Sequence, residues 1–365
     1  MRVVIISAMC YPLNTPRAFR TDELAKEFAR EGHDVTVYSL LGDYDYGEYS
    51  LKTGIRMKSL GKSLCGVQDS MGKSNWNIIS KVINHTIGKY IDYPYCELVG
   101  MVKRAVEKEG KIDLLITIAF PHSVHLGASK ASLKNVKVWI ADCGDPFMGN
   151  PFEKRPSYMS RWEKRWSEKC NYITIPVAEG IDAYYPEYHD KIRIIPQGFD
   201  MEGLSLNNYK RNNVPTFCYA GYIYPRRRDP IKMIKYLLQL DVDFRFVIYT
   251  APECYKSLIS RSELLDKRIE IKQFIPREQL LSVLPKMDFL VNIMNNSGVQ
   301  QPSKLIDYAI AKRPIINISS DFSEEEKRVL SKFLNADYSD AYIVKGIEQY
   351  DIRNVAKQFL DLVEE

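Results

Sequence analysis

Residues 1–40 read MRVVIISAMCYPLNTPRAFRTDELAKEFAREGHDVTVYSL, and this stretch decides the fold. Val3–Ser7 is an unbroken apolar run of the kind a strand buried on both faces requires. After the loop that opens at Ala8, Leu24, Ala25 and Phe28 share one side of a helix over Thr21–Glu31. Gly32 stops that helix, and Val35–Tyr38 supplies a second strand. Strand, helix and strand in that order predict parallel pairing, and so a doubly wound α/β sheet. No GxGxxG follows the first strand, which argues against a dinucleotide fold.

The alternation continues outward from this unit. KIDLLITIAF (111–120), VKVWIADC (136–143) and CNYITIP (170–176) are short β-rich runs, and KIRIIPQGFD (191–200) ends in a tight turn at Gln197-Gly198. A polar segment over 201–213 then reads as a linker. Beyond it a second series starts. TFCYAGYIY, FRFVIYTAP, IEIKQFI, DFLVNIM and PIINI are strand-like, with PIKMIKYLLQL, REQLLSVLPKM and the segment from Lys304 as helices. Two α/β domains result, 1–200 and 214–349. The amphipathic helix over about 350–365 is free to close either one, packing back on the first domain in one arrangement.

Length agrees, because 365 residues exceed what one hydrophobic core usually serves. The chain is 45% hydrophobic and 27% charged, as a soluble globular enzyme is, and its net charge of +5 does not call for nucleic acid. Seven scattered cysteines without a CxxC pair suggest neither a disulfide framework nor a zinc site, which points to a reducing cytoplasm. No apolar run approaches the roughly 18 residues of a membrane span. Leu51–Lys81 reads as a long irregular insertion carrying six Lys and Arg against Asp69 alone. It is either a solvated surface or a patch for anionic lipid or an acceptor phosphate.

Chemistry-bearing candidates cluster at strand ends. GVQDSMGKS (66–74) lacks both the spacing and the leading strand of a phosphate-binding P-loop. Asp43–Asp45 and Asp241–Asp243 sit in turns, where Asp is common for turn chemistry alone. His122 and His125 follow a strand, as Asp142 and Asp145 follow the next, and ligands bind at the carboxyl ends of parallel strands. Arg226, Arg227 and Arg228 follow the first strand of the second domain, either as a basic turn in solvent or as a seat for a diphosphate. NNSGVQQPSK (295–304) is a loop entering a helix, a ready anion site. Lys304 and Asp307, three apart on one helix face, are an exposed ion pair or two contacts to one ligand, its phosphates and its ribose.

Together these residues resemble the two-domain glycosyltransferases of the GT-B fold, in particular the large retaining family 4 group. YPLNTPRAFRTDELAKEFAREGHDVTVYS, IRIIPQGFD, YAGYIYPRRRDPIKMI and PSKLIDYAIAKRPII match that family's motifs in order and over nearly the whole chain. The resemblance implies two Rossmann-like domains facing across a cleft. It implies a UDP- or GDP-sugar donor on the second domain, and a glycan or lipid-linked acceptor on the first. It implies transfer with neither cofactor nor metal, in cell-surface polysaccharide synthesis at the cytoplasmic face. Arg227 then takes the family's phosphate position beside Arg226 and Arg228, and Lys304 and Asp307 take the diphosphate and ribose. Gly298 and Val299 give backbone near the phosphates. His122 stands for the histidine that approaches the donor sugar, while Asp142 and Asp145 line the acceptor side. Two departures stand out. Eight residues before Asp307, where the family often has an acid, is Val299, leaving Gln300 or Gln301 in its stead. The usual Gly-Arg after the donor strand is Gly221-Tyr222. Other outcomes with the same architecture are a non-hydrolysing sugar-nucleotide epimerase and an inactive nucleotide-sugar-binding subunit.

Overall fold

Val3, Val4, Ile5 and Ile6 are all completely buried, which a strand achieves only when both faces of its sheet are covered. The computed structural model describes every residue except Asn14, 74–77, 202–208, 226–227, 295–303 and Glu365. In it the opening strand β1 (Arg2–Ser7) sits inside a seven-stranded, wholly parallel sheet. The others are β2 (Asp34–Ser39), β3 (Arg56–Ser59), β4 (Ile112–Ala119), β5 (Val136–Cys143), β6 (Tyr172–Ile175) and β7 (Ile192–Ile194). Their spatial order is β3-β2-β1-β4-β5-β6-β7, with Val3 opposite Val35 on one side and Leu114 on the other.

Alternate residues of β1 feed two cores. Val4 and Ile6 join Leu115, Trp139 and Trp166 on one face; Val3 and Ile5 join Phe28, Ile116 and Phe359 on the other. The covering helices of this unit are α1 (Pro16–Arg30), α2 (Gly47–Thr53), α3 (Ile78–Thr86), α4 (Gly88–Ile91), α5 (Leu98–Lys108), α6 (Ser123–Lys130) and α7 (Ser160–Lys169). Helix α1 begins five residues before its expected start. Thr15 caps it by accepting from the Ala18 N–H at 3.3 Å, and Pro16 is pre-set for the first helical position.

Residues 51–81 are not one irregular insertion: they hold the end of α2 and the edge strand β3, paired in parallel with β2. The sequence RMKS has no apolar alternation because an edge strand is kept from further pairing by its charges. Those charges find acids elsewhere in the chain. Arg56 meets Asp34, Lys58 meets Glu109 at 2.6 Å, and Lys73 lies 3.8 Å from Asp43.

The second unit is a parallel sheet in the order β10-β9-β8-β11-β12. Its strands are β8 (Thr216–Ala220), β9 (Arg245–Thr250), β10 (Ile269–Gln273), β11 (Phe289–Ile293) and β12 (Ile315–Ile318). Its helices are α8 (Ile231–Gln239), α9 (Pro252–Ile259), α10 (Arg277–Val283), α11 (Lys304–Ile310) and α12 (Glu324–Leu334). Phe217, Phe246 and Phe289 stack across adjacent strands at 4.7 and 4.4 Å between ring centres, filling one core. Ser323 and Glu326 form a capping box that starts α12.

The compact units are Met1–Asp200 with Glu348–Glu365, and Met201–Ile347. The last helix, α13 (Ile352–Glu364), therefore belongs to the first unit, where Val355 and Phe359 are completely buried beside Leu24 and Phe28. Its approach dictates a residue elsewhere. A Cβ on Gly198 would lie 2.5 Å from Ile352 Cδ1, so the turn at Gln197-Gly198 takes glycine. All seven cysteines are free, and among the described residues no helix is long and apolar enough to cross a membrane.

Candidate functional site

A parallel sheet offers its ligand seat where the strand order reverses, outside the carboxyl ends of the two strands that part there. In the second unit that point lies between β8 and β11. Lys304 occupies it. Its Nζ donates to the Ile293 carbonyl at the end of β11 at 3.3 Å, and stands 4.5 Å from the centre of the Tyr219 ring on β8. The side chain is buried, and no carboxylate among the described residues pairs with it. Burial, reinforced by the neighbouring charge of Arg228, pushes the Lys304 amine well below its ordinary pKa.

The loop after β8 is shaped around this amine. Gly221 lies so close that a Cβ there would sit 3.6 Å from Lys304 Cδ and 3.0 Å from the Tyr219 hydroxyl. Tyr219 donates to the Tyr222 carbonyl at 2.7 Å, and Tyr224 and Arg228 exchange backbone hydrogen bonds at 3.1 and 2.8 Å. Those bonds fix Arg228 to Tyr224, and its charge acts on Lys304. Arg226, Arg227, Gly298, Val299, Gln300 and Gln301 lie outside the described residues.

Asp307 does not pair with Lys304. Arg277, the first residue of α10, donates Nε and Nη2 to its Oδ1 at 2.9 and 2.7 Å. The other oxygen, Oδ2, accepts nothing from the described residues. Burial lifts the carboxyl above its usual range, and Arg277 offsets part of that. A carboxylate held by one oxygen with the other open suits a pair of vicinal hydroxyls.

In the first unit the strand order reverses between β1 and β4. His122 follows β4 and is buried between Phe147, 5.0 Å away, and Trp166, 6.4 Å away. Its Nε2 is 3.1 Å from the Asp145 carbonyl, which only accepts, so Nε2 carries the hydrogen and Nδ1 is a bare, unpartnered acceptor. Burial drives its pKa well down, and the ring is neutral. Asp142 is buried and committed within the protein: Arg20 donates Nη2 to Oδ1 at 2.8 Å and Nε to Oδ2 at 3.1 Å, and Thr174 adds 2.7 Å to Oδ1. Asp145 is partly exposed. His125 is a core residue bonded to Thr117 at 2.7 Å.

Sequence reading passed over Arg17, Arg20 and Arg277. A signal was present for Arg17 and Arg277, which fall in the first turn of a helix, where the macrodipole disfavours cations.

No family model matches the sequence, and no curated protein matches it. Solved structures do. HepE of Anabaena in complex with UDP is similar over 100% of both chains, at 9% identity and a TM-score of 0.65. A glycosyltransferase from Rickettsia africae covers 100% of this chain and 98% of its own, at 13% identity and a TM-score of 0.61. The lipopolysaccharide outer core galactosyltransferase WaaB covers 100% and 99%, at 10% identity and 0.61. Likeness at such identities establishes architecture: the chain folds as two Rossmann-like α/β domains of the kind seen in GT-B glycosyltransferases.

Proposed function

We propose that the chain is a glycosyltransferase that moves a sugar from a nucleoside-diphosphate sugar to a glycan or lipid-linked acceptor. The observation that carries this reading is Lys304, a buried amine at the switch point of the second sheet with no acid beside it among the described residues. Burial disfavours the charged form of this amine, and an anionic ligand such as a diphosphate supplies the counter-charge that restores it. Asp307 then accepts the ribose hydroxyls through Oδ2, and Arg228 stands by with Arg226 and Arg227 for the phosphates. HepE has been solved with UDP and with UDP-glucose, which favours uridine on the donor.

As the bond from sugar to diphosphate breaks, negative charge grows on the leaving oxygen. Fixed cations in a water-poor site stabilise that charge most in the transition state. Basic side chains take this part in the proposed reaction, with retention of configuration and without metal. His122 contributes from the first unit, which holds the acceptor, and the work is done in the cytoplasm at the membrane face. The test is a thermal-shift series with UDP, GDP and their sugar conjugates, followed by a transfer assay with the best binder. A binder at a hundredfold excess over Kd stabilises by about 2.7 kcal/mol. No shift with any nucleotide rejects the reading. An epimeric sugar nucleotide formed without acceptor would replace transfer by epimerisation.

A further inference from the structure

Arg17 stands at the switch point of the first sheet, as Lys304 does in the second, and its charge is not consumed there. The guanidinium lies directly over Gly144, just after β5; a Cβ at that position would meet Arg17 Cζ at 2.2 Å. Its Nη1 reaches the Ala119 carbonyl at the end of β4, at 3.4 Å. Arg17 therefore bridges the carboxyl ends of β4 and β5 from the start of α1, the helix that follows β1.

Its neighbour Arg20 shows what a spent arginine looks like. Arg20 is buried, forked onto Asp142, and donates to the carbonyls of Pro196 and Ile195. Arg17 has five N–H donors and, among the described residues, only the one long side-chain hydrogen bond. No carboxylate among the described residues lies within ion-pair distance of it. Asp142 and Asp145 act on it only from further off, and Asp142 is already held by Arg20 and Thr174. The segment Ala119–His122 that receives Arg17 also carries the unpartnered, buried Nδ1 of His122, an acceptor suited to a hydroxyl beside the anion rather than to the anion itself. Burial lowers the Arg17 pKa, yet arginine stays charged throughout the working pH range.

The geometry points to an anion site at Arg17 that takes a phosphate or carboxylate group carried by the acceptor. This assignment rests on the reading that the first unit holds the acceptor. The fork of Arg17 would give two parallel, charge-assisted bonds to such a group, a contact that a neutral sugar does not offer.

Inorganic phosphate and glucuronate are the probes, titrated into the full-length protein at constant ionic strength, with and without UDP, by calorimetry. At least one probe is expected to bind in the presence of UDP, and Arg17→Gln is expected to weaken it about tenfold or more while leaving UDP affinity in place. Binding of phosphate alone assigns a phosphoryl group, and of glucuronate alone a carboxylate. The proposal is overturned if neither probe binds, if binding vanishes when UDP is present, or if Arg17→Gln binds as the wild type does. If Arg17→Gln does not fold, Arg17→Lys keeps the charge and loses the fork, and unchanged probe binding in that variant also overturns it. Should UDP itself not bind, the donor reading fails, and the Arg17-dependent probe response is still read in the arm without nucleotide.

Discussion

Arg277 reaches across from the start of α10 to place two hydrogen bonds, 2.9 and 2.7 Å long, on one oxygen of Asp307. The pair joins two helices of the second unit and commits Oδ1, while Oδ2 accepts nothing from the described residues. On the proposed reading, Arg277 positions the carboxylate that meets the ribose.

Arg277→Met should therefore act on donor binding more than on turnover. Loss of a charge-assisted bond of about 1.5–3 kcal/mol predicts a rise of roughly ten- to hundredfold in the UDP dissociation constant. Asp307→Asn, which keeps the shape, should weaken UDP similarly. Titration of UDP into both variants checks this, and unchanged affinity in both would remove Asp307 from the site.

Lys304→Met should move stability and binding in opposite directions. Burial that pulls the amine's pKa down costs the folded state stability wherever the unfolded chain keeps the lysine charged, so an apolar side chain of similar length stabilises the free protein at neutral pH. The same change deprives a diphosphate of its counter-ion, so UDP should bind at least about tenfold more weakly. A merely structural lysine would not give a higher melting temperature together with lost nucleotide binding.

Two glutamates set opposite pH trends. Burial tends to raise Glu109, but Lys58, Tyr38 and Arg2 together hold it down to about 2. Its contribution is present above the usual carboxylate pKa and is lost as pH falls from about 4.5 to about 2, a change of about 3 kcal/mol. Burial pushes Glu163 up to about 7, with Oε1 unpartnered. The folded state then holds a proton that the unfolded state has released, so stability falls as pH rises from about 4.5 to about 7. Glu163→Gln should remove this slope and gain about 3 kcal/mol relative to wild type between pH 5 and 8. Denaturant midpoints at the two pH values measure it, and a parallel shift at both would refute the assignment.

Phe359→Ala tests what α13 contributes. Phe359 is completely buried against Ile5, Leu24 and Phe28, and Arg20 lies 5.0 Å over its ring. A loss of about 3–5 kcal/mol is expected. It should appear in the first unit, read by hydrogen exchange at β1 and α1, and leave β8 and β9 protected as before.

The parallel sheets were legible because strands buried on both faces must be written as continuous apolar runs, as in Val3–Ile6 and Phe289–Ile293. The edge strand β3 was not, since Arg56 and Lys58 take part in pairing while their side chains answer Asp34 and Glu109 from other elements. Lys304 could be picked out from its helix, but not its isolation, which depends on the absence of an acid from every neighbouring strand. The pairing of Asp307 with Arg277, and of Asp142 with Arg20, spans 30 and 122 residues. No local pattern records such partners. They are set by which strand ends the topology brings together.

Helix α13 also imposes an order on synthesis. Residues 352–364 are made only after the whole of the second unit, yet they cover Val3, Ile5 and Phe28, which are made first. Until then one face of the first sheet is covered by α1 without α13, while the second unit, continuous from Met201 to Ile347, has every strand it needs. The earlier half of the gene thus encodes the part that is completed last. A ribosome paused within the second unit would hold a nascent first unit with a partly open apolar face, the kind of surface that chaperones engage.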